Sequence, residues 1–205
     1  SNPAFFAHML IDNDTATLFI DNHKVSSEIA ISLASSGIQI AAYDQIKRAL
    51  SKIIPDDLLL LDPNKVAVGT LADIVDNVGF IEQTAPSTFL KSVKSEADVE
   101  HIREAMRQDG AALCEFFAEF EQRLNNGERL SELDVDSMLI AVRSQQPNYV
   151  SPSFPTIAGF NENGALPHYR ATAEKFSYLD VKEGEGGLLL IDSGAQYQNG
   201  TTDIT

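Results

Sequence analysis

Two aspartates near the end of the chain could bind cations. Asp192 directly follows the apolar run Leu188–Ile191, and Asp203 lies a short polar segment further on. A carboxylate at the end of a buried strand is unfavourable unless it is paired, hydrogen-bonded or bound to a cation. Oxygen ligands favour manganese, cobalt or zinc in a mixed site over a thiolate-type zinc site. Two such carboxylates would suit a pair of cations roughly 3.5–4 Å apart, as in two-metal hydrolytic sites.

The segment between these aspartates predicts a β-hairpin, because Asn199-Gly200 is a strong turn signal. Any two-residue loop pairs an even-numbered with an odd-numbered residue, which places Asp192 and Asp203 on one face. A turn at Gln198-Asn199 would set Asp192 opposite Thr205, with Asp203 its diagonal neighbour at roughly 7–8 Å between backbones. A turn at Asn199-Gly200 would leave the two aspartates too far apart without a bulge. The geometry permits a metal site without requiring one, and the residues alone also allow a structural Asp192 that accepts turn amides and a solvated Asp203.

Other motifs with possible chemistry do not meet their requirements. Gly184-Glu185-Gly186-Gly187 precedes a strand and lacks a following Lys-Ser/Thr, so it predicts a turn instead of a phosphate loop. Asp12-Asn13-Asp14 lacks the glycine of a calcium loop. The single cysteine, Cys114, excludes a disulfide framework and a cysteine-based zinc site.

Residues 1–88 alternate between strand-like and helix-like segments, which predicts an α/β domain with a mixed or parallel sheet and flanking helices. The apolar run Leu58–Leu61 indicates a strand buried on both faces. The predicted strands are Ala7–Asp12, Thr15–Asp21, Ile38–Tyr43, Leu58–Leu61 and Phe80–Glu82; the predicted helices run from Ser26 to about Ser36, from Asp44 as its cap to Ile54, and from Asn64 to about Val75.

A change of character near residues 84–95 predicts a second domain over residues 89–205. Ser95 and Asp98 form a capping-box-like start to a helix that ends at Asn125-Asn126-Gly127, on the order of 43 Å long. A second helix is predicted from Ser131 and must stop by Pro147. The long helix carries a broad apolar stripe: Val99, Ile102, Met106, Leu113, Phe116, Phe117, Phe120 and Leu124.

Composition excludes some classes of function. The 205 residues carry 15 Lys and Arg against 30 Asp and Glu, a net charge of −15, which argues against nucleic-acid binding. No apolar run approaches the length of a membrane span, so no membrane association is expected. The N-terminus lacks the charged region of a signal peptide, and we expect a cytoplasmic protein.

Residues 192–205 resemble the first metal-ligand hairpin of the Xaa-Pro aminopeptidases (aminopeptidase P), which are pita-bread metallopeptidases. The resemblance extends over nearly the whole chain. It is carried upstream by Asn2-Pro3-Ala4-Phe5-Phe6, Leu18-Phe19-Ile20-Asp21, Ala112-Leu113-Cys114-Glu115, Ser153-Phe154-Pro155-Thr156-Ile157, and Asn163-Gly164-Ala165 through His168-Tyr169.

The resemblance implies a creatinase/prolidase N-terminal-like α/β domain followed by the first half of an α+β pita-bread domain. Asp192 and Asp203 would be the first two of five ligands to two divalent ions, with Asp203 bridging them; manganese is expected, and cobalt or zinc are alternatives. His168 would lie beside the metal centre, bind substrate and stabilise the tetrahedral intermediate. The substrates would be peptides with proline in the second position.

The resemblance also implies one His and two Glu ligands in sequence beyond the segment that ends here at Thr205. We therefore expect the chain to be an internal fragment that is inactive by itself. The resemblance further implies that the intact protein forms a homodimer. Two alternatives remain open. One is a pita-bread domain that binds peptides or proteins without catalysis, and the other is a prolidase-like or creatinase-like hydrolase.

Overall fold

The computed structural model describes residues 5–72, 74, 78–181 and 186–205. The chain divides into two compact units, the first comprising Ala4–Val93 and the second containing Lys94–Thr205. The boundary predicted after residue 88 falls inside a helix, Pro86–Ser92. The predicted turn at 184–187 lies partly outside the described residues, as does the segment at residues 2–6.

The first unit contains a three-stranded mixed sheet, as its alternating sequence predicts. Its strand order is β1-β2-β3, with β1 and β2 antiparallel and β2 and β3 parallel. A separate parallel pair is formed by β4 and β5. The elements are β1 (Ala7–Ile11), β2 (Ala16–Ile20), α1 (Ser27–Ser35), β3 (Ile38–Ala42), α2 (Ile46–Leu50), β4 (Leu58–Leu61), α3 (Val68–Leu71), β5 (Gly79–Glu82) and α4 (Pro86–Ser92).

Local signals determine the ends of several of these elements. Ser26 caps α1 by accepting a hydrogen bond from the amide of Ile29. Gly37 ends the same helix at φ +76°, a conformation that glycine adopts without steric cost. In the β1–β2 turn, the Asp12 carboxylate accepts the amides of Asp14 and Thr15. These features agree with the sequence-based assignments for this part of the chain.

Three expectations for the first unit are corrected. Strand β4 is not buried on both faces, since Leu58 is 63% exposed and only Leu61 is buried. Asp44 lies in a 3₁₀ turn (Tyr43–Gln45), and the α-helix expected to reach Ile54 is confined to α2. The α-helix expected from Asn64 is reduced to α3 in the described residues. For β4, the apolar run indicates a strand but does not reveal how much of its surface a small unit covers.

The second unit begins with two helices whose starts the sequence predicts correctly. Ser95 and Ser131 each form a reciprocal capping box, with Asp98 and Asp134 respectively. The elements are α5 (Glu96–Asn125), α6 (Glu132–Ser144), β6 (Tyr149–Pro152), β7 (Ile157–Phe160), a 3₁₀ helix (Asn161–Ala165), β8 (Leu189–Asp192), β9 (Ala195–Tyr197) and β10 (Gly200–Thr201).

Helices α5 and α6 pack against each other, α6 also packs against β7, and the main core lies among these elements. The core is apolar and includes Phe116 and Leu139, which are fully buried. The apolar stripe predicted for α5 is only partly right, because Met106 is 42% exposed and Phe117 is 48% exposed. The buried residues of α5 are Ala105, Gln108, Asp109, Ala112 and Phe116, of which Phe116 belongs to the predicted stripe.

The strands of the second unit form two antiparallel groups. One has the order β10-β9-β6, and the other pairs β7 with β8. Within the described residues, no helix is both long and apolar enough to cross a membrane. The strands matter here because β8, β9 and β10 position the two candidate metal ligands.

Candidate active site

The register of the last hairpin places Asp192 and Asp203 on one face. Strands β9 and β10 pair Tyr197 with Gly200, so the turn is Gln198-Asn199, one of the two turns that the sequence left open. The bridge between Ser193 and Ile204 continues the same register. Asp192 therefore lies opposite Thr205, and Asp203 opposite Gly194. The two aspartates are diagonal neighbours, roughly 7–8 Å apart between backbones.

One oxygen of Asp192 is buried without a hydrogen-bond partner. Asp192 ends β8, where it pairs with Ile157 of β7. Of the four buried side-chain oxygens that lack a partner in the described part of the chain, only Asp192 Oδ1 belongs to a carboxylate. A buried carboxylate oxygen left unsatisfied is costly, and a bound cation would remove that cost.

Asp203 differs from Asp192 in its surroundings, because its side chain is exposed. The two residues together offer oxygen ligands on one face of a ribbon, which fits hard or intermediate divalent ions. They do not complete a site: among the residues that the structure describes, no group of three or more His, Cys, Asp or Glu could hold a metal ion. His168 consequently does not join the two aspartates in such a group.

Gly194 allows the two sides of this ribbon to approach closely. A Cβ at position 194 would overlap the carbonyl oxygen of Thr202 and the hydroxyl of Ser153. Ser153 donates from its hydroxyl to the Thr202 carbonyl at 3.0 Å, and its amide donates to the Gly194 carbonyl at 3.1 Å. Thr202, itself buried, accepts the Ala195 amide through its hydroxyl at 2.9 Å. These contacts hold the segments that follow Asp192 and precede Asp203.

A buried ion pair attaches the hairpin to both helices. The Tyr197 side chain is fully buried in β9 and donates from its hydroxyl to Asp109 Oδ1 at 3.1 Å. Asp109, on α5, also accepts Nε and Nη2 of Arg143 of α6, at 2.8 and 3.0 Å. Burial and the neighbouring Asp109 carboxylate raise the pKa of Tyr197, so its hydroxyl stays protonated and donates. The result is a cross-link between β9, α5 and α6.

His168 lies in an exposed loop and has an unusual backbone conformation. Its φ is +55°, in the left-handed region that residues other than glycine adopt infrequently. The following residue, Tyr169, is only 5% exposed. His168 is thus exposed to solvent, and the residue that follows it is buried.

Sequence reasoning missed a second buried carboxylate, Glu132, which is fully buried at the first turn of α6. Its Oε1 accepts the Phe160 amide at 2.7 Å and Asn163 Nδ2 at 2.9 Å. Its Oε2 accepts the Tyr169 hydroxyl at 2.7 Å and the Ser177 amide at 2.7 Å. The only local signal was an acidic residue near a helix N-terminus, which is usually a solvated feature.

The hydrogen bonds to Glu132 keep it charged. Burial alone would raise the pKa of Glu132, but the four donors favour its ionised form and the net shift is downward. The partner hydroxyl responds in the opposite sense: burial and the Glu132 carboxylate raise the pKa of Tyr169 to about 12. The pair is therefore an anion and a neutral donor at neutral pH.

Family models match both parts of the chain. The model for metallopeptidase family M24 matches residues 100–205, and that for the creatinase/prolidase N-terminal domain matches residues 1–98. Aminopeptidase P2 of Arabidopsis thaliana is 30% identical over 233 residues, covering 100% of this chain and 32% of that protein. The Xaa-Pro aminopeptidase ApepP of Drosophila melanogaster is 30% identical, covering 100% of this chain and 33% of that protein.

Solved structures show the same fold. The X-prolyl aminopeptidase of Caenorhabditis elegans, described as a cytosolic enzyme with a di-nuclear active site, superposes with a TM-score of 0.82 at 26% identity, over 98% of this chain and 33% of that one. The X-Pro aminopeptidase of Thermotoga maritima has a TM-score of 0.68 at 21% identity, over 97% of this chain and 52% of that one. The chain spans about a third of the length of the sequence relatives described above. The chain belongs to metallopeptidase family M24 by its residues 100–205, more than half of the sequence, which follow a creatinase/prolidase N-terminal domain.

Proposed function

We propose that the protein containing this chain is a metal-dependent aminopeptidase that removes an N-terminal residue preceding proline. The observation that carries the proposal is the unpartnered, buried oxygen of Asp192 on the same hairpin face as Asp203. The similarity to proteins named Xaa-Pro aminopeptidases supports the substrate class. Residues 1–88 and 89–205 are proposed as the two functional domains.

In this proposal the chain's residues hold cations and orient the substrate. A pair of divalent cations, when bound, would lower the pKa of a shared water and neutralise negative charge on the reacting carbonyl. Asp192 would hold one cation through its unpartnered oxygen, and Asp203 would contact both. His168, exposed beside this unit's buried anchor Tyr169, would donate a hydrogen bond to the substrate carbonyl oxygen as charge develops on it.

The identity of the metal, its remaining ligands, the oligomeric state, the location and the substrates are also proposals. The oxygen-rich ligand set suits manganese, with cobalt or zinc as alternatives. The remaining ligands would be one His and two Glu outside this chain, and the whole protein would act as a homodimer. A cytoplasmic location agrees with the cytosolic enzyme from Caenorhabditis elegans. The substrates would be peptides with proline as their second residue.

In the whole protein, Asp203→Ala is expected to abolish bound metal and to reduce turnover of Xaa-Pro peptides more than about 100-fold. This loss exceeds the one typical for a residue that only hydrogen-bonds to a metal ligand. The reason is the loss of a carboxylate that would contact both cations. Metal content by elemental analysis and kcat/KM would be measured together. Asp14→Ala is the control, because Asp14 is an exposed residue of the β1–β2 turn. Equal losses in the two variants would contradict the ligand assignment.

The 205-residue chain by itself is expected to show no turnover of Xaa-Pro peptides with manganese. Asp192 and Asp203 provide two ligands, and the described residues contain no larger cluster that could strengthen binding. Purified chain would be assayed at saturating manganese, with calorimetry for the metal affinity. Clear turnover would show that two carboxylates suffice and would overturn this expectation.

A further inference from the structure

We propose that Glu132 is a positioning residue that holds His168 in place through the buried hydroxyl of Tyr169. The role of His168 itself rests on the proposed function. The link from Glu132 to the His168 loop rests only on the structure.

The Glu132 carboxylate binds four groups that are all far from it in sequence and lie within residues 160–177. Its partners lie 28, 31, 37 and 45 residues further along the chain, at the end of β7, in the following 3₁₀ helix, beside His168 and at Ser177. Both oxygens accept two donors each, and all four distances are between 2.7 and 2.9 Å. Hydrogen bonds to a charged group are about twice as strong as neutral ones, and in a buried site they are not weakened by water. The carboxylate therefore constrains the whole 160–177 region.

The His168 backbone needs such a constraint. A non-glycine residue at positive φ costs of order 1–3 kcal/mol and persists only where its surroundings determine its conformation. The amide of Tyr169 donates to the Leu166 carbonyl at 3.1 Å, and the Tyr169 hydroxyl donates to Glu132. Tyr169 is thus attached at its backbone and at the tip of its ring. With its neighbour held at both ends, His168 has few alternative backbone conformations.

Two substitutions alter the hydrogen bonds between Glu132 and Tyr169 while nearly keeping the shape of each side chain. Glu132→Gln has nearly the same volume, but its NH2 group replaces one oxygen that now accepts two donors. At least one of the four hydrogen bonds is then lost, because a backbone amide cannot accept. Tyr169→Phe keeps the ring and removes only the hydroxyl. If the carboxylate acts on His168 through that hydroxyl, both variants should change the environment of the His168 imidazole.

The test is an imidazole NMR spectrum of the 205-residue chain, which contains four histidines. A His168→Gln variant assigns the His168 signal. We expect Glu132→Gln and Tyr169→Phe to shift or broaden that signal beyond its line width, because the loop gains alternative conformations. The reference signals should keep their positions in both variants; they belong to His8, His23 and His101.

Asp109→Asn is the matched control, since it alters another buried carboxylate of the same unit whose hydrogen bonds go to Arg143 and Tyr197. It should leave the His168 signal in place. All spectra would be recorded where each variant keeps its far-ultraviolet circular dichroism. An unmoved His168 signal in Tyr169→Phe, the milder variant, would overturn the proposal, as would an equal displacement in Asp109→Asn.

A kinetic measurement in the whole protein separates this inference from the proposed function. Tyr169→Phe should lower kcat for Xaa-Pro peptides about ten-fold with little change in KM, because a misplaced hydrogen-bond donor affects the transition state more than binding. A moved NMR signal with unchanged kcat would retain the link from Glu132 to His168 and reject the catalytic role of His168. An unmoved signal in an active peptidase would reject the link alone.

Discussion

Arg143→Met is expected to destabilise the second unit by about 3–5 kcal/mol, the range found when one partner of a buried ion pair is removed. Asp109 is fully buried and Arg143 is 2% exposed, so neither charge is solvated. Without the guanidinium, the Asp109 carboxylate keeps the Tyr197 hydroxyl as its side-chain hydrogen-bond donor among the described residues. The loss would also disconnect α6 from this group, because Tyr197 would then link the hairpin to Asp109 of α5 alone.

Tyrosine fluorescence during urea unfolding would measure this effect. The chain has no tryptophan, and four of its five tyrosines lie in the second unit, so the signal reports mainly on that unit. Arg107→Met is the control: Arg107 pairs with Glu100 and Glu104 on the exposed surface of α5, and its loss should leave the unfolding midpoint unchanged. A midpoint for Arg143→Met that matches this control would disprove the assigned role.

A combined variant tests whether the ion pair gives net stability or whether only the removal of one partner is costly, because it leaves the other charge buried and unpaired. Asp109→Leu, Arg143→Met and Tyr197→Phe together remove every polar member of the group. Apolar replacement of a buried ion pair is often neutral or stabilising. We therefore expect the triple variant to recover most of the stability lost in Arg143→Met. Failure to recover would show that the pair contributes beyond satisfying its own charges.

Gly194→Ala is expected to separate the two segments that carry Asp192 and Asp203. The added methyl group would occupy the space of the Thr202 carbonyl, which is backbone and cannot rotate away. Overpacking of this kind costs about 1–3 kcal/mol and occasionally more. In the whole protein the same displacement should also remove bound metal.

Hydrogen exchange would locate this effect within the chain. The amides of Ser193 and Ile204 each donate to the other's carbonyl at 2.9 Å, and both should lose protection in Gly194→Ala. Gly110→Ala is the control, because a Cβ there meets nothing within 4 Å and α5 should gain about 0.5–1 kcal/mol from the better helix former. Unchanged protection of both amides in Gly194→Ala would contradict the close approach inferred at this position.

The hairpin shows how far local sequence reasoning reaches. Turn chemistry and the two-residue period of a strand are local properties, so the shared face of Asp192 and Asp203 could be predicted from the residues between them. The same holds for the capping boxes at Ser95 and Ser131, since a cap involves residues three apart. The choice between the two possible turns required the observed pairing of Tyr197 with Gly200.

The buried charges show where that reasoning stops. Asp109, Glu132 and Arg143 have the sequence signature of surface helix residues, yet all three are buried. Their partners are 28 to 88 residues away, and no local pattern indicates which distant donor will meet a carboxylate. Apolar spacing misled for the same reason at β4, where the strand's neighbours leave Leu58 exposed.

The sequence by itself determined the alternation of elements, the helix starts at Ser26, Ser95 and Ser131, and the shared face of the two aspartates. Each of these depends on residues close together in the chain. Only the tertiary structure decided that Asp192 keeps a buried oxygen without a partner, that Gly194 must lack a side chain, and that Glu132 reaches Tyr169 beside His168. These depend on contacts between distant segments, where burial removes water and leaves each polar group dependent on the partner that folding brings to it.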